Sequence, residues 1–305
     1  MSAGSQSQGS ASGPQPAADP GEPRLIIAAS DAGVAVDAAD HVVASLQRAL
    51  AERPTAHLAL TGGSTATALY RLLARSPRRE AVDWQRIELW WGDDRLVPPD
   101  HPQSNAGLVD ATLLHTAALA GASDGSEGTD VEAGLSPGLT LPPEHVHPMP
   151  IGRALAETSD SAAAAAAAAA AYAAEVRDRL PAGPDGWPVF DLVLLGIGPD
   201  GHILSCFPGS PALADDAPLA LGIPAPSHLE PHLPRVTLNP RIVSAARDVA
   251  VMAHGEAKAE VLASILTEPR DPQRYPADYA RRAGATWFLD EACAADMPPT
   301  MGERH

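Results

Sequence analysis

Cysteine is nearly missing from this chain: Cys206 and Cys293 are the only two, too few for a disulfide framework. No apolar run reaches the roughly 18 residues of a membrane span, so no membrane partner is expected. Basic residues are scarce, 21 against 38 acidic ones, and the formal net charge of −17 argues against a nucleic-acid or anionic-membrane surface. An anion, if bound, needs a local pocket. Lysine is rarer still, with Lys258 the sole example. Residues 1–22 are rich in Ser, Gly, Pro and Gln without the apolar core of a signal peptide, which predicts a disordered tail and a cytoplasmic protein. His145, His147, His228 and His232 have no carboxylate or cysteine at ligand spacing. They read as loop histidines, and neither a metal nor a cofactor is expected.

The 305 residues suffice for one large α/β domain, placed at 23–292, with a frayed tail at 293–305. Strands are predicted near Leu25–Ala29, His57–Leu60, Ile87–Trp91, Leu192–Leu195, Arg235–Leu238, Val249–Ala253 and Ala285–Leu289. Helical spacing separates them: Val42, Val43, Leu46 and Leu50 mark one helix, Ala68, Leu69, Leu72 and Leu73 another. Ten consecutive alanines, Ala162–Ala171, continue into Tyr172, Val176 and Leu180 as a long helix. Residues at about 119–143 turn to Gly, Ser, Thr, Asp and Glu and read as a flexible insertion. Repeated strand and helix alternation predicts an open, doubly wound, mostly parallel Rossmann-like sheet, whose ligands bind beyond the carboxyl ends of its strands.

Three predicted strands end in polar turns. The first turn is Thr61-Gly62-Gly63-Ser64-Thr65, followed by a helix, so its amides and hydroxyls suit a phosphate at a helix N-terminus. It also approaches the G-x-S-x-G nucleophile elbow, with Ala66 replacing the last glycine. The second is Gly92-Asp93-Asp94-Arg95. The third, Gly196-Ile197-Gly198-Pro199-Asp200-Gly201-His202, formally fits G-x-G-x-x-G, but Pro208, Gly209 and Pro211 follow too soon for the helix a dinucleotide needs. Asp200 and His202 remain, an imidazole able to take a proton from water and a carboxylate able to orient it, or alternatively a capped structural turn. Arg95 and Lys258 are the cations best placed to reach a phosphate.

Together these residues resemble the 6-phosphogluconolactonase family. The resemblance rests on Leu60–Thr65, Trp91–Pro98 with Ser104 and Asn105, Leu195–His202 with Phe207–Ser210, Pro234–Leu238, and Gly255 with Lys258. It implies a fold of the deaminase and ribose-5-phosphate-isomerase-like kind. It also implies metal-free hydrolysis of 6-phospho-D-glucono-1,5-lactone to 6-phosphogluconate in the oxidative pentose phosphate pathway. His202 is then the general base with Asp200 beside it, Gly63, Ser64, Thr65, Arg95 and Lys258 hold the phosphate, and Arg235 assists the substrate. Related glucosamine-6-phosphate deaminases carry Phe-Asn-Glu-Pro where this chain has Cys206-Phe207-Pro208-Gly209, which favours the lactonase. An isomerase or deaminase of amino-sugar phosphates and a non-catalytic sugar-phosphate sensor are the alternatives. Departures from the family pattern are Asp94 for glutamate, Ile203-Leu204 for a smaller pair and Cys206 for leucine. The expected partner is one small phosphorylated lactone; the oligomeric state stays open, a monomer being compatible.

Overall fold

Strand segments such as Ala56–Leu60 and Leu192–Gly196 carry apolar residues without alternation, the pattern of a parallel sheet covered on both faces. The computed structural model describes residues 21–114 and 138–305 and contains that sheet. In chain order its strands are β1 (Arg24–Ala28), β2 (Ala56–Leu60), β3 (Ile87–Trp91), β4 (Asp93–Arg95), β5 (Val146–His147), β6 (Leu192–Gly196), β7 (Ala220–Ile223), β8 (Arg235–Leu238), β9 (Asp248–Ala253), β10 (Ala285–Asp290) and β11 (Glu303–Arg304). Eight of them form the main sheet in the order β11-β1-β10-β9-β6-β2-β3-β5, and every pairing is parallel. The doubly wound α/β architecture expected from the sequence is thus present. A second sheet is an addition: β4, β8 and β7 pair antiparallel in that order, so the Arg235–Leu238 strand belongs beside the main sheet rather than within it.

Helices cover both faces. α1 (Asp31–Glu52) starts where the Ser30 hydroxyl accepts the Gly33 N–H at 3.2 Å, and it buries Val34, Ala38, Val42 and Leu46. α2 (Ser64–Leu73) follows β2, and the short α3 (Asn105–Val109) follows β4. The alanine run is α4 (Ser161–Arg179), capped by the Asp160 carboxylate on the Ala162 and Ala163 N–H groups. Its small residues let it settle closely on the second sheet: a Cβ on Gly222 of β7 would lie 2.7 Å from the Ala165 Cβ. α5 (Ala259–Thr267) follows β9.

The end of the chain, expected to fray from Cys293 on, is docked. Cys293, Ala294 and Met297 are buried, and β11 pairs with Ile26 and Ile27 of β1. A two-residue strand has no periodicity to reveal it, and small residues and prolines surround its one buried methionine. The insertion read at about 119–143 lies outside the described residues except for 138–143, and so does the N-terminal tail except for its last two residues.

Two tyrosine hydroxyls fix the strand exits that matter below. The Tyr70 hydroxyl accepts the Thr61 N–H (3.0 Å) and donates to the Thr61 carbonyl (2.7 Å), just past β2. Tyr172 of α4 does the same for Trp91, the last residue of β3, at 2.8 and 3.0 Å. Both tyrosines are fully buried, so losing the hydroxyl strands a peptide N–H and carbonyl without water. Tyr70→Phe and Tyr172→Phe are each expected to lower unfolding free energy by about 1–3 kcal/mol, as read by urea denaturation.

Candidate active site

The carboxyl ends of β9, β6, β2 and β3 lie side by side, because these strands are consecutive neighbours in the parallel sheet. β2, β3 and β6 are followed by the three polar turns and β9 by His254 and Gly255, so segments distant in sequence meet along one sheet edge. A cavity of about 190 Å³ opens there, of a size for a small polar molecule. Gly63, Ser64, Thr65, Arg95, His202, Arg235 and Lys258, singled out from the sequence, all line it. Asp200 alone of the expected residues stands behind the wall, against His202.

After β6 the chain turns tightly: the Gly198 carbonyl accepts the Gly201 N–H at 3.0 Å, and the Gly198 N–H donates to the His202 carbonyl at 2.9 Å. No helix opens here, which disposes of the dinucleotide pattern. The turn brings His202 Nδ1 to 2.5 Å from Asp200 Oδ1, and the ring tilts over Phe207 at 4.7 Å between centroids. With Nδ1 committed to the carboxylate, Nε2 is the free nitrogen and has no protein partner among the described residues. Asp200 is held from its other side by His228, whose Nε2 lies 3.0 Å from Oδ2. Burial alone would raise the Asp200 pKa, but its bonds to the two histidines outweigh it and hold the carboxyl well below the usual range. Gly198 is required by space: a Cβ there would sit 2.0 Å from His202 Nδ1 and 2.8 Å from Asp200 Oδ1.

At the opposite wall, Gly63 caps α2 at φ 101° and has no side chain to offer the helix's leading N–H groups. Gly62 leaves room for Asn105, since a Cβ would lie 2.0 Å from its Oδ1. Arg95 donates from Nη1 to the Gln103 carbonyl at 2.7 Å, which aims the guanidinium. Lys258 stands at the N-cap of α5, and its ammonium makes no ion pair among the described residues. Burial pushes its pKa down, against the pull of Cys293 and Asp290. Arg235 is 5% exposed, with its guanidinium 5.4 Å from the Phe207 ring centroid and Nε without a hydrogen-bond partner. Burial lowers its pKa too, opposed chiefly by Asp93.

Asp94 explains how the Arg95 loop is held. Its buried carboxylate accepts the N–H groups of Arg95, Asn105 and Ala106 at 2.7, 2.6 and 3.0 Å, tying β4 to the start of α3. Burial still leaves its pKa raised. Ile203, Leu204 and Cys206, departures from the family pattern, are core residues: the Leu204 side chain lies where a Cβ on Gly92 would be 2.6 Å away, and the Cys206 thiol faces Thr237 and the Leu238 carbonyl.

Sequence reasoning missed three polar groups. Asp93 lines the cavity and accepts the Ser205 hydroxyl at 2.5 Å. His254, also in the lining, lies 3.1 Å from the Ser64 hydroxyl through Nε2. His228, read as a loop histidine, contacts Asp200. The two histidines carry no spacing signal, and Asp93, although it lies in the second polar turn, reaches the cavity only through the fold. His147 also departs from the loop reading, since it is buried in β5, bonded to Glu175 at 2.7 Å and stacked on Trp90 at 4.0 Å. Among the described residues no group of three or more His, Cys, Asp or Glu is placed to hold a metal, and no helix is long and apolar enough to cross a membrane.

The chain resembles known proteins in sequence and in overall fold. Residues 29–288 match the family model described as glucosamine-6-phosphate isomerases/6-phosphogluconolactonase. The chain is 33% identical over 272 residues to a 6-phosphogluconolactonase of Mycobacterium leprae, covering 88% of this chain and 96% of that one. It is 32% identical to the Streptomyces coelicolor 6-phosphogluconolactonase, with 92% and 96% covered. The solved 6-phosphogluconolactonase from Trypanosoma cruzi superimposes with a TM-score of 0.75 at 26% identity, over 90% of this chain and 97% of its own. Matched by the family model over most of its length and more than 30% identical to relatives that it covers almost end to end, the chain belongs to the glucosamine-6-phosphate isomerase/6-phosphogluconolactonase family.

Proposed function

We propose that this chain hydrolyses 6-phospho-D-glucono-1,5-lactone to 6-phosphogluconate, the lactonase step of the oxidative pentose phosphate pathway. The observation that carries the reading is the imidazole of His202, tethered through Nδ1 to an ionised Asp200 on the wall of a cavity that also holds Arg95 and Lys258. A water attacks the lactone carbonyl as Nε2 takes its proton. The new C–O bond leaves an oxyanion, to which we assign the Arg235 guanidinium, which lines the same cavity as His202. Collapse breaks the ring C–O bond, and the imidazolium returns the proton to the departing ring oxygen. Asp200 stabilises the imidazolium between the two transfers. Gly63, Ser64 and Thr65 at the start of α2, with Arg95 and Lys258, grip the phosphate and hold the ring against His202. This reading takes one small substrate, a monomer being compatible with it, and the cytoplasm, the last supported by two buried free thiols.

In a coupled assay corrected for spontaneous hydrolysis, His202→Gln is expected to lose about 10²–10⁴ in kcat while binding 6-phosphogluconate as the unaltered chain does. Retention of the full rate would remove His202 as the base. Gly198→Ala should cause a similar kcat loss in a stably folded protein, because the added methyl takes the space of the His202 ring.

Arg95→Ala and Lys258→Ala should each weaken 6-phosphogluconate binding by about tenfold or more in titration calorimetry, and unchanged affinity in both would refute the phosphate assignment. Because burial lowers the Lys258 pKa, that affinity should also decline on alkalinisation before an ordinary lysine would lose its proton. Ammonia release from glucosamine 6-phosphate is expected to be absent; its detection would favour the deaminase branch of the family.

A further inference from the structure

Ser64 and His254 belong to turns after different strands, β2 and β9, and meet in the cavity with Oγ and Nε2 3.1 Å apart. We infer that His254 is a positioning residue of the phosphate subsite, whose Nε2–H holds the Ser64 hydroxyl so that the serine proton points at a phosphate oxygen. This inference rests on the phosphorylated substrate assigned above.

A serine hydroxyl has one proton and two lone pairs. If Ser64 donated to His254, its lone pairs would face the incoming dianion and repel it. If Nε2 carries the proton and donates, the Ser64 O–H is free for the anion. A phosphate monoester therefore selects the second arrangement, and the imidazole adds a donor to the subsite through the hydroxyl rather than by direct contact. The rest of the site leaves Ser64 available for this task. Gly63 occupies the N-cap of α2 and Ser64 is its first residue, so the Ser64 hydroxyl is not used as the helix cap, and its side chain bonds only His254 among the described residues. The turn carrying His254 is fixed by its neighbour: the Gly255 N–H, at φ 89°, donates to the Asp290 carboxylate at 3.0 and 3.1 Å. His254 and Lys258 thus approach the subsite from one anchored turn.

The same pair has the residue types of a nucleophile and its base. That arrangement needs a third group on Nδ1 to set the tautomer, and among the described residues His254 makes no side-chain bond other than the one to Ser64. His202 has such a group, and His254 does not.

The test compares His254→Ala, His254→Gln, Ser64→Ala and the His254→Ala/Ser64→Ala pair. It uses kcat and KM for the phosphorylated lactone and calorimetric affinity for 6-phosphogluconate. His254→Ala should raise KM and the 6-phosphogluconate dissociation constant about five- to tenfold while kcat stays within about twofold. His254→Gln, which keeps an N–H donor near the Nε2 position, should restore most of that loss. The double variant should bind no worse than Ser64→Ala, since both changes remove one chain of donors. Unchanged affinity in His254→Ala, or additive losses in the pair, would overturn the inference. So would a collapse of kcat with KM unchanged, which would make Ser64 the nucleophile. If the unaltered chain failed to hydrolyse the lactone, the lactonase reading would fall, and the 6-phosphogluconate titration would still decide the role of His254.

Discussion

The parallel pairing of β9, β6, β2 and β3 is the constraint on which the rest depends. Parallel strands point their carboxyl ends the same way, so four turns from residues 61 to 258 arrive at one edge of the sheet. Reversing any one strand would send its turn to the far end of the molecule. The alternation of strands with covering helices serves this end, and the buried Tyr70 and Tyr172 hydroxyls hold the backbone at the exits of β2 and β3. A low-dielectric core therefore reaches to within a residue or two of groups that must remain polar.

Close approach, rather than flexibility, explains the glycines at the site. Gly198 gives its side-chain volume to the His202 ring, Gly62 to Asn105, and Gly92 to Leu204. Each places the backbone of one turn against a side chain of the same or a neighbouring turn, so the cavity wall is packed rather than draped. Charges are set in the same economical way. Asp200 is shared between His202 and His228, Asp94 gives its carboxylate to backbone N–H groups, and Arg235 and Lys258 line the cavity although burial disfavours their charge. An anionic ligand would relieve that cost, which is how a strongly acidic chain can hold a phosphate.

Much of this was legible in the residues. Uninterrupted apolar runs ending in Gly, Asp, Ser or His gave away both the strands and the polarity of their tips, and the alanine run announced α4 through propensity alone. Seven of the eight expected site residues line one cavity, since residues at strand tips become neighbours once the strands are parallel. What stayed hidden depends on tertiary pairing. The antiparallel β4-β8-β7 sheet, the docking of Met297 and β11, and the meeting of His254 with Ser64 join segments with no periodic or local signal. His228 and His147 looked alike in sequence, both read as loop histidines. One contacts the Asp200 carboxylate and the other stacks in the core, a distinction made by the fold.

The central claim is that phosphate binding and the Asp200–His202 pair act on one small lactone. The most direct measurement is kcat/KM of the unaltered protein for freshly generated 6-phosphogluconolactone beside unphosphorylated gluconolactone, each corrected for spontaneous hydrolysis. Rapid hydrolysis of the phosphorylated lactone is expected, with a preference over its unphosphorylated counterpart of about 10²-fold or more, since remote binding energy aligns the reacting ring. Equal rates with the two lactones, or no acceleration of either, would contradict it.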